Sequence, residues 1–185
     1  MALLIAGLIL WFAAHYFKRL APERRAAMGE KGKLYATIGL VASLILMIIG
    51  YRAADFIPVW NPPSFMMHIN NTLMLFALWT FGSSAAKGAK AWPATKLRHP
   101  QLIGFKIWAF AHLLVNGDLA SVLLFGGLLG WAVGAAILIN RAEPDWTPPE
   151  PAGKATWIRL AVITLVLYGI VGAVHIWLGV WPFPA

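Results

Sequence analysis

Four of the five histidines in this 185-residue chain, His15, His68, His112 and His175, fall inside apolar stretches. Imidazole binds a metal as a neutral ligand, so it adds no buried net charge. In helical bundles a histidine from each of two facing helices clamps a heme iron. The chain has no cysteine, which removes thiolate ligation, iron–sulfur clusters, disulfides and c-type heme attachment. A metal held here would be held by histidine. The competing use of a lone histidine on a membrane helix is a hydrogen bond at a packed interface.

The richest segment is Arg98–Ser121, RHPQLIGFKIWAFAHLLVNGDLAS. His112 has Asn116 four residues on, with Phe105 and Ala109 before it on the same helical stripe, which puts a polar group, an aromatic wall and a small residue on one face. Gln101, Gly104 and Trp108 form the adjacent stripe, suited to flank a flat macrocycle or to pack on a neighbour. Arg98 and His99 precede Pro100 at a helix start, where two basic side chains and free N–H groups suit a propionate or a phosphate, or anchor the helix at the interface. Asn116, Gly117 and Asp118 spell a tight turn, and the Asp118 carboxylate caps the next helix. Gly126, Gly130 and Gly134 recur every fourth residue and predict close helix packing. Met66, Met67 and Met74 fit apolar core, and Trp60, Trp177 and Trp181 fit an interfacial belt.

These residues need membrane helices to position them. A chain that is 60% hydrophobic, 12% charged and of mean hydropathy +0.71 is polytopic rather than soluble. The expected architecture is all-α, one integral membrane bundle over 1–185 with spans near 2–17, 35–53, 66–84, 101–116, 120–139 and 156–178. The first span lacks a basic leader and is followed by Lys18, Arg19, Arg24 and Arg25, the order of a retained helix. Proline clusters at 58–63, 93–100 and 144–151 mark turns, and no internal repeat stands out. Loops 18–34, 85–100 and 140–155 carry most of the lysine and arginine outside the spans, so the positive-inside rule puts both termini outside, in the periplasm if the membrane is a bacterial inner membrane. The net charge of +8 follows that pattern, and points to topology and lipid contact rather than nucleic acid.

The runs RHPQLIG, WAFAHLL and NGDLASVLLFGG resemble the NnrU family of membrane proteins associated with denitrification. The likeness spans essentially the whole chain: a first-helix histidine, the basic GEKG loop at 29–32 and a proline-rich turn before the third span follow the family layout, and its specificity is concentrated in 98–127. More distantly, the RHPQ and Trp-x-x-Ala-His core is similar to the heme-dependent 15-cis-zeta-carotene isomerase of plants. That resemblance implies heme b with His15 and His112 as axial ligands. The isomerase has a switching cysteine three residues before its second histidine, where this chain has Ala109. A shorter RHP-x-x-x-G-x-x-x-W likeness to membrane isoprenylcysteine methyltransferases covers only Arg98–Trp108.

The topology sets a rival to that ligand pair. His15 lies near the cytoplasmic end of its span and His112 about eleven residues beyond Gln101, a depth difference on the order of 10 Å at 1.5 Å per residue. His68 and His175, near the outer ends of theirs, match His112 better, and His68 is the geometric competitor as second ligand. The resemblance implies a heme b protein that supports nitrite and nitric oxide metabolism by redox chemistry, gas binding or maturation, with membrane redox or nitrogen-oxide reductase proteins as partners. An isomerase or oxidoreductase of a lipophilic polyene is the second expectation. A cofactor-free transporter or assembly factor, with His112, Asn116 and Asp118 lining a polar path, is the third.

Overall fold

In hydrocarbon every backbone N–H and C=O must find its partner within the segment, so apolar runs of this length fold as helices. The computed structural model describes residues 1–184 and is all-helical. Its elements are α1 (Ala2–Leu20), α2 (Pro22–Ala27), α3 (Gly29–Arg52), α4 (Met66–Gly82), α5 (Pro100–Val115), α6 (Leu119–Ala142) and α7 (Lys154–Trp177). The six long helices fall on the six expected spans. The short α2, started by Pro22 at its first position, and an α3 that begins at Gly29 take up most of the basic loop expected at 18–34. Helices α1, α3, α6 and α7 are each long and apolar enough to cross a membrane, and the chain is an integral membrane protein. Helices α4 and α5 are shorter, at 17 and 16 residues.

Two compact units make up the chain. The first comprises 1–60 and 117–144, and the second 61–116 and the chain from 145 on.

In the first unit α1 packs antiparallel to α3 and parallel to α6. The α1–α3 seam is narrow because glycines sit in it. A Cβ on Gly7 would lie 2.8 Å from the backbone nitrogen of Met47, and one on Gly50 would meet the Leu4 nitrogen and, at 2.8 Å, the Leu3 carbonyl carbon. Small residues allow that approach, and van der Waals contact replaces the hydrophobic drive that lipid cannot supply. On its other side α1 lays Leu8 over Gly127 and Tyr16 over Gly134 of α6. The two helices finish at the same end, where Arg19 Nη1 donates to Glu143 Oε1 at 2.7 Å.

In the second unit α4 lies between α5 and α7 and is antiparallel to both. Gly104 of α5 presses on α4 so closely that a Cβ would lie 2.8 Å from the Phe81 nitrogen. Gly82 meets Leu160 of α7, and the Trp79 and Trp157 rings lie 6.0 Å apart. Among the described residues no Cα of α5 comes within 8 Å of a Cα of α7, so the two flanking helices are splayed. The loops at the α4 C-terminus and α7 N-terminus are tied: Lys90 N donates to Glu150 O at 2.8 Å, Ala152 N to Lys90 O at 2.8 Å, and Arg98 to the Asp145 carbonyl at 3.4 Å. Within each unit, the basic loops therefore gather at one end.

Gly50→Ala tests the first seam. The added methyl meets backbone rather than a flexible side chain, so α1 and α3 must separate, at a cost of about 1–3 kcal/mol. The thermal midpoint of the detergent-solubilised protein is expected to fall, whereas Gly130→Ala, which meets nothing within 4 Å, leaves it unchanged.

Candidate functional site

Carrying the α4–α5 register about two turns from Gly104 sets His112 level with Asn70 and Asn71, at the end of the second unit away from its basic loops. His112 Nδ1 bonds the Trp108 carbonyl one turn back at 2.9 Å, and its ring lies 5.1 Å from the Trp108 indole. Across the splay His175 of α7 binds the Val171 carbonyl in the same way, Nδ1 to oxygen, at 2.7 Å. The two imidazole centres are 6.5 Å apart, with planes inclined at 39°. A carbonyl can only accept, so Nδ1 carries a proton in both rings, and in the neutral ring Nε2 then carries the lone pair. That is the tautomer a metal requires of an Nε2 ligand. At the same level Asn70 is 7% exposed, gives Nδ2 to Asn71 at 3.2 Å, and leaves its buried Oδ1 without a donor.

The first unit repeats the local arrangement in other surroundings. His15 Nδ1 bonds the Trp11 carbonyl at 2.9 Å, and its ring lies 4.2 Å from the Trp11 ring. Trp131 of α6 stands 4.4 Å away at 61°, and Trp11 meets Trp131 edge-on at 5.2 Å. Tyr16 Oη donates to the Trp131 carbonyl at 2.7 Å and holds that helix in place. His15 thus packs against a pair of touching indoles, one turn from Lys18 and Arg19 at the basic end of its unit.

The other expected site residues are dispersed. His68 is exposed on the first turn of α4. Arg98 and His99 lie at the basic end of the second unit, His99 as N-cap of α5 ahead of Pro100. Asn116 is the C-cap of α5, and its Nδ2 donates to the His112 carbonyl at 2.8 Å. Asp118 caps α6 through Oδ1, which accepts from Ser121 N at 3.0 Å, while Oδ2 takes the Ser121 hydroxyl at 2.5 Å; Ser121 in turn meets the Tyr51 hydroxyl at 2.8 Å. The glycine stripe of α6 departs from the expected close packing. Nothing lies within 4 Å of a Cβ on Gly126 or Gly130, because α1 follows the neighbouring stripe Gly127, Trp131 and Gly134.

Two features have sequence signals that the motifs around Arg98 obscured. WFAAH at 11–15 and WAFAH at 108–112 are the same five-residue cassette, a tryptophan whose carbonyl serves a histidine one turn later. His175 carries no such motif, and its depth was its one signal.

Asp118→Ala removes the cap and strands the Ser121 N–H, leaving the Ser121 hydroxyl with Tyr51 alone, at about 0.5–2 kcal/mol. Denaturant unfolding in detergent is expected to shift to a lower midpoint, with Asp55→Ala, an exposed loop carboxylate, unshifted.

The donor set at His112 fits a heme iron: neutral imidazole, Nδ1 tethered to its own helix, apolar surroundings and an aromatic ring beside it. Among the described residues no cluster of three or more His, Asp or Glu side chains is built for a bare metal ion. No curated protein and no solved structure matches the chain. The family model described as NnrU protein matches residues 3–182, nearly the whole length. The chain belongs to the NnrU family.

Proposed function

We propose that this chain is an integral membrane heme b protein that supports denitrification, with His112 as an axial ligand. The observation that carries the reading is the tether of His112 Nδ1 to the Trp108 carbonyl, which makes Nε2 the nitrogen through which a metal would bind on an apolar helix of an NnrU-family chain. Heme in such a setting supplies one-electron transfer or binding of a small gas such as nitric oxide. The chain's own residues hold it: His112 at the iron, Trp108 beside it, and Asn116 closing the helix end through the His112 carbonyl. Membrane redox or nitrogen-oxide reductase proteins are the partners this reading calls for.

The gathering of basic loops at one end of each unit supports a cytoplasmic location for that end, with the His112 end of the second unit toward the periplasm of a bacterial inner membrane. Ala109, fully buried three residues before His112, offers no iron ligand, and favours a stable heme over the ligand-switching isomerase.

The test is the absorption spectrum of the detergent-purified protein, oxidised and dithionite-reduced. Wild type is expected to show a Soret band with sharp reduced bands, and His112→Ala to lose them. A colourless wild type that takes up no hemin would overturn the reading. In a denitrifying host, deletion of the gene is expected to cause nitrite or nitric oxide to accumulate under anoxic growth, restored by wild type and not by His112→Ala.

A further inference from the structure

We infer that His175, on α7, is the second axial ligand, and that the site is a bis-histidine pair formed inside the second unit by His112 and His175. The inference rests on the heme reading above. Two imidazoles bound through Nε2 on opposite faces of one metal, with metal–nitrogen bonds of about 2.0 Å and about 1.1 Å from each nitrogen to its ring centre, put their centres about 6.2 Å apart. The His112 and His175 centres are 6.5 Å apart. Both rings give Nδ1 to their own i−4 carbonyl, the arrangement that directs a metal to Nε2.

The surroundings agree. Helices α5 and α7 both pack on α4, and among the described residues no Cα of one lies within 8 Å of a Cα of the other, yet the two imidazole centres approach to 6.5 Å. Asn70, on the intervening α4 and level with the pair, carries a buried amide oxygen without a donor, an atom that a bound group or its water would satisfy. His15 shares the i−4 tether, but its ring packs against two indoles, at 4.2 and 4.4 Å, and not against a second imidazole. His68 is exposed on the first turn of α4.

The experiment uses the full chain in detergent, loaded with hemin, and reads coordination and spin state by absorption and electron paramagnetic resonance together with the reduction potential. Wild type is expected to be six-coordinate and low-spin. His175→Gly is expected to keep the pigment but turn five-coordinate and high-spin, and added imidazole to restore the low-spin form. His175→Met fills the same space with a thioether and is expected to raise the potential, as methionine does in place of histidine. A purely structural role for His175 would give neither the rescue nor the raised potential. His15→Ala and His68→Ala are expected to retain the wild-type spectrum. If His175→Gly stays low-spin while His15→Ala or His68→Ala becomes high-spin, the pair assigned here is wrong and the heme reading stands. If wild type takes up no hemin, both fall.

Discussion

A histidine inside an apolar helix has two ring nitrogens and little to satisfy them, and the solution adopted here is the carbonyl one turn back. Each helical C=O has two lone pairs, of which the backbone ladder uses one. His15, His112 and His175 all bring Nδ1 to the second, at 2.9, 2.9 and 2.7 Å. The bond removes one unsatisfied polar atom from hydrocarbon, where each costs several kcal/mol. It also fixes Nδ1 as a donor, so that a metal bound to the neutral ring would bind through Nε2. Everything chemical about these helices depends on that local bond.

What the lone pair meets is decided by helix packing. In the first unit the Leu8–Gly127 and Tyr16–Gly134 contacts bring α1 and α6 together, and the tight fit delivers Trp131 against His15. In the second unit the close seam is between α4 and α5 at Gly104, while α7 contacts α4 alone. The same W-x-x-A-H cassette thus ends against two touching indoles in one unit and 6.5 Å from an imidazole in the other. The difference comes from the third helix of each unit, and not from the cassette.

The fold was largely legible because the membrane makes apolar length and charge asymmetry decisive. All six long helices fall where hydropathy predicts, and the cap at Asp118 follows from the tight turn before α6. Local chemistry was legible too: Asn116 reaches the His112 turn at i+4, although as a helix cap on the carbonyl. What the sequence did not reveal was pairing in space. The glycine stripe at 126, 130 and 134 looked like a packing face, but only Gly134 is covered, since a stripe says which face is smooth and not which neighbour arrives. His175 stayed in the background for the same reason. Its i−4 partner is a valine carbonyl, which any residue could supply, and its approach to His112 depends on α4 holding α5 and α7 apart.

That splay is itself a physical constraint on what the second unit can be. Two flanking helices of a three-helix unit normally close on one another, because each gains packing by doing so. Here α7 exposes much of its apolar surface and touches α4 at one end through Gly82 and Trp79, while the far end is steadied by Phe183 over Gly172 and by Asn71 Nδ2 on the Pro182 carbonyl at 3.1 Å. The chain after α7 therefore folds back against the helix near the level of His175. With α5 and α7 both on α4 and a tethered imidazole on each, 6.5 Å apart, the unit is organised around a spacing, and a metal between the two imidazoles would reward that spacing in an apolar medium.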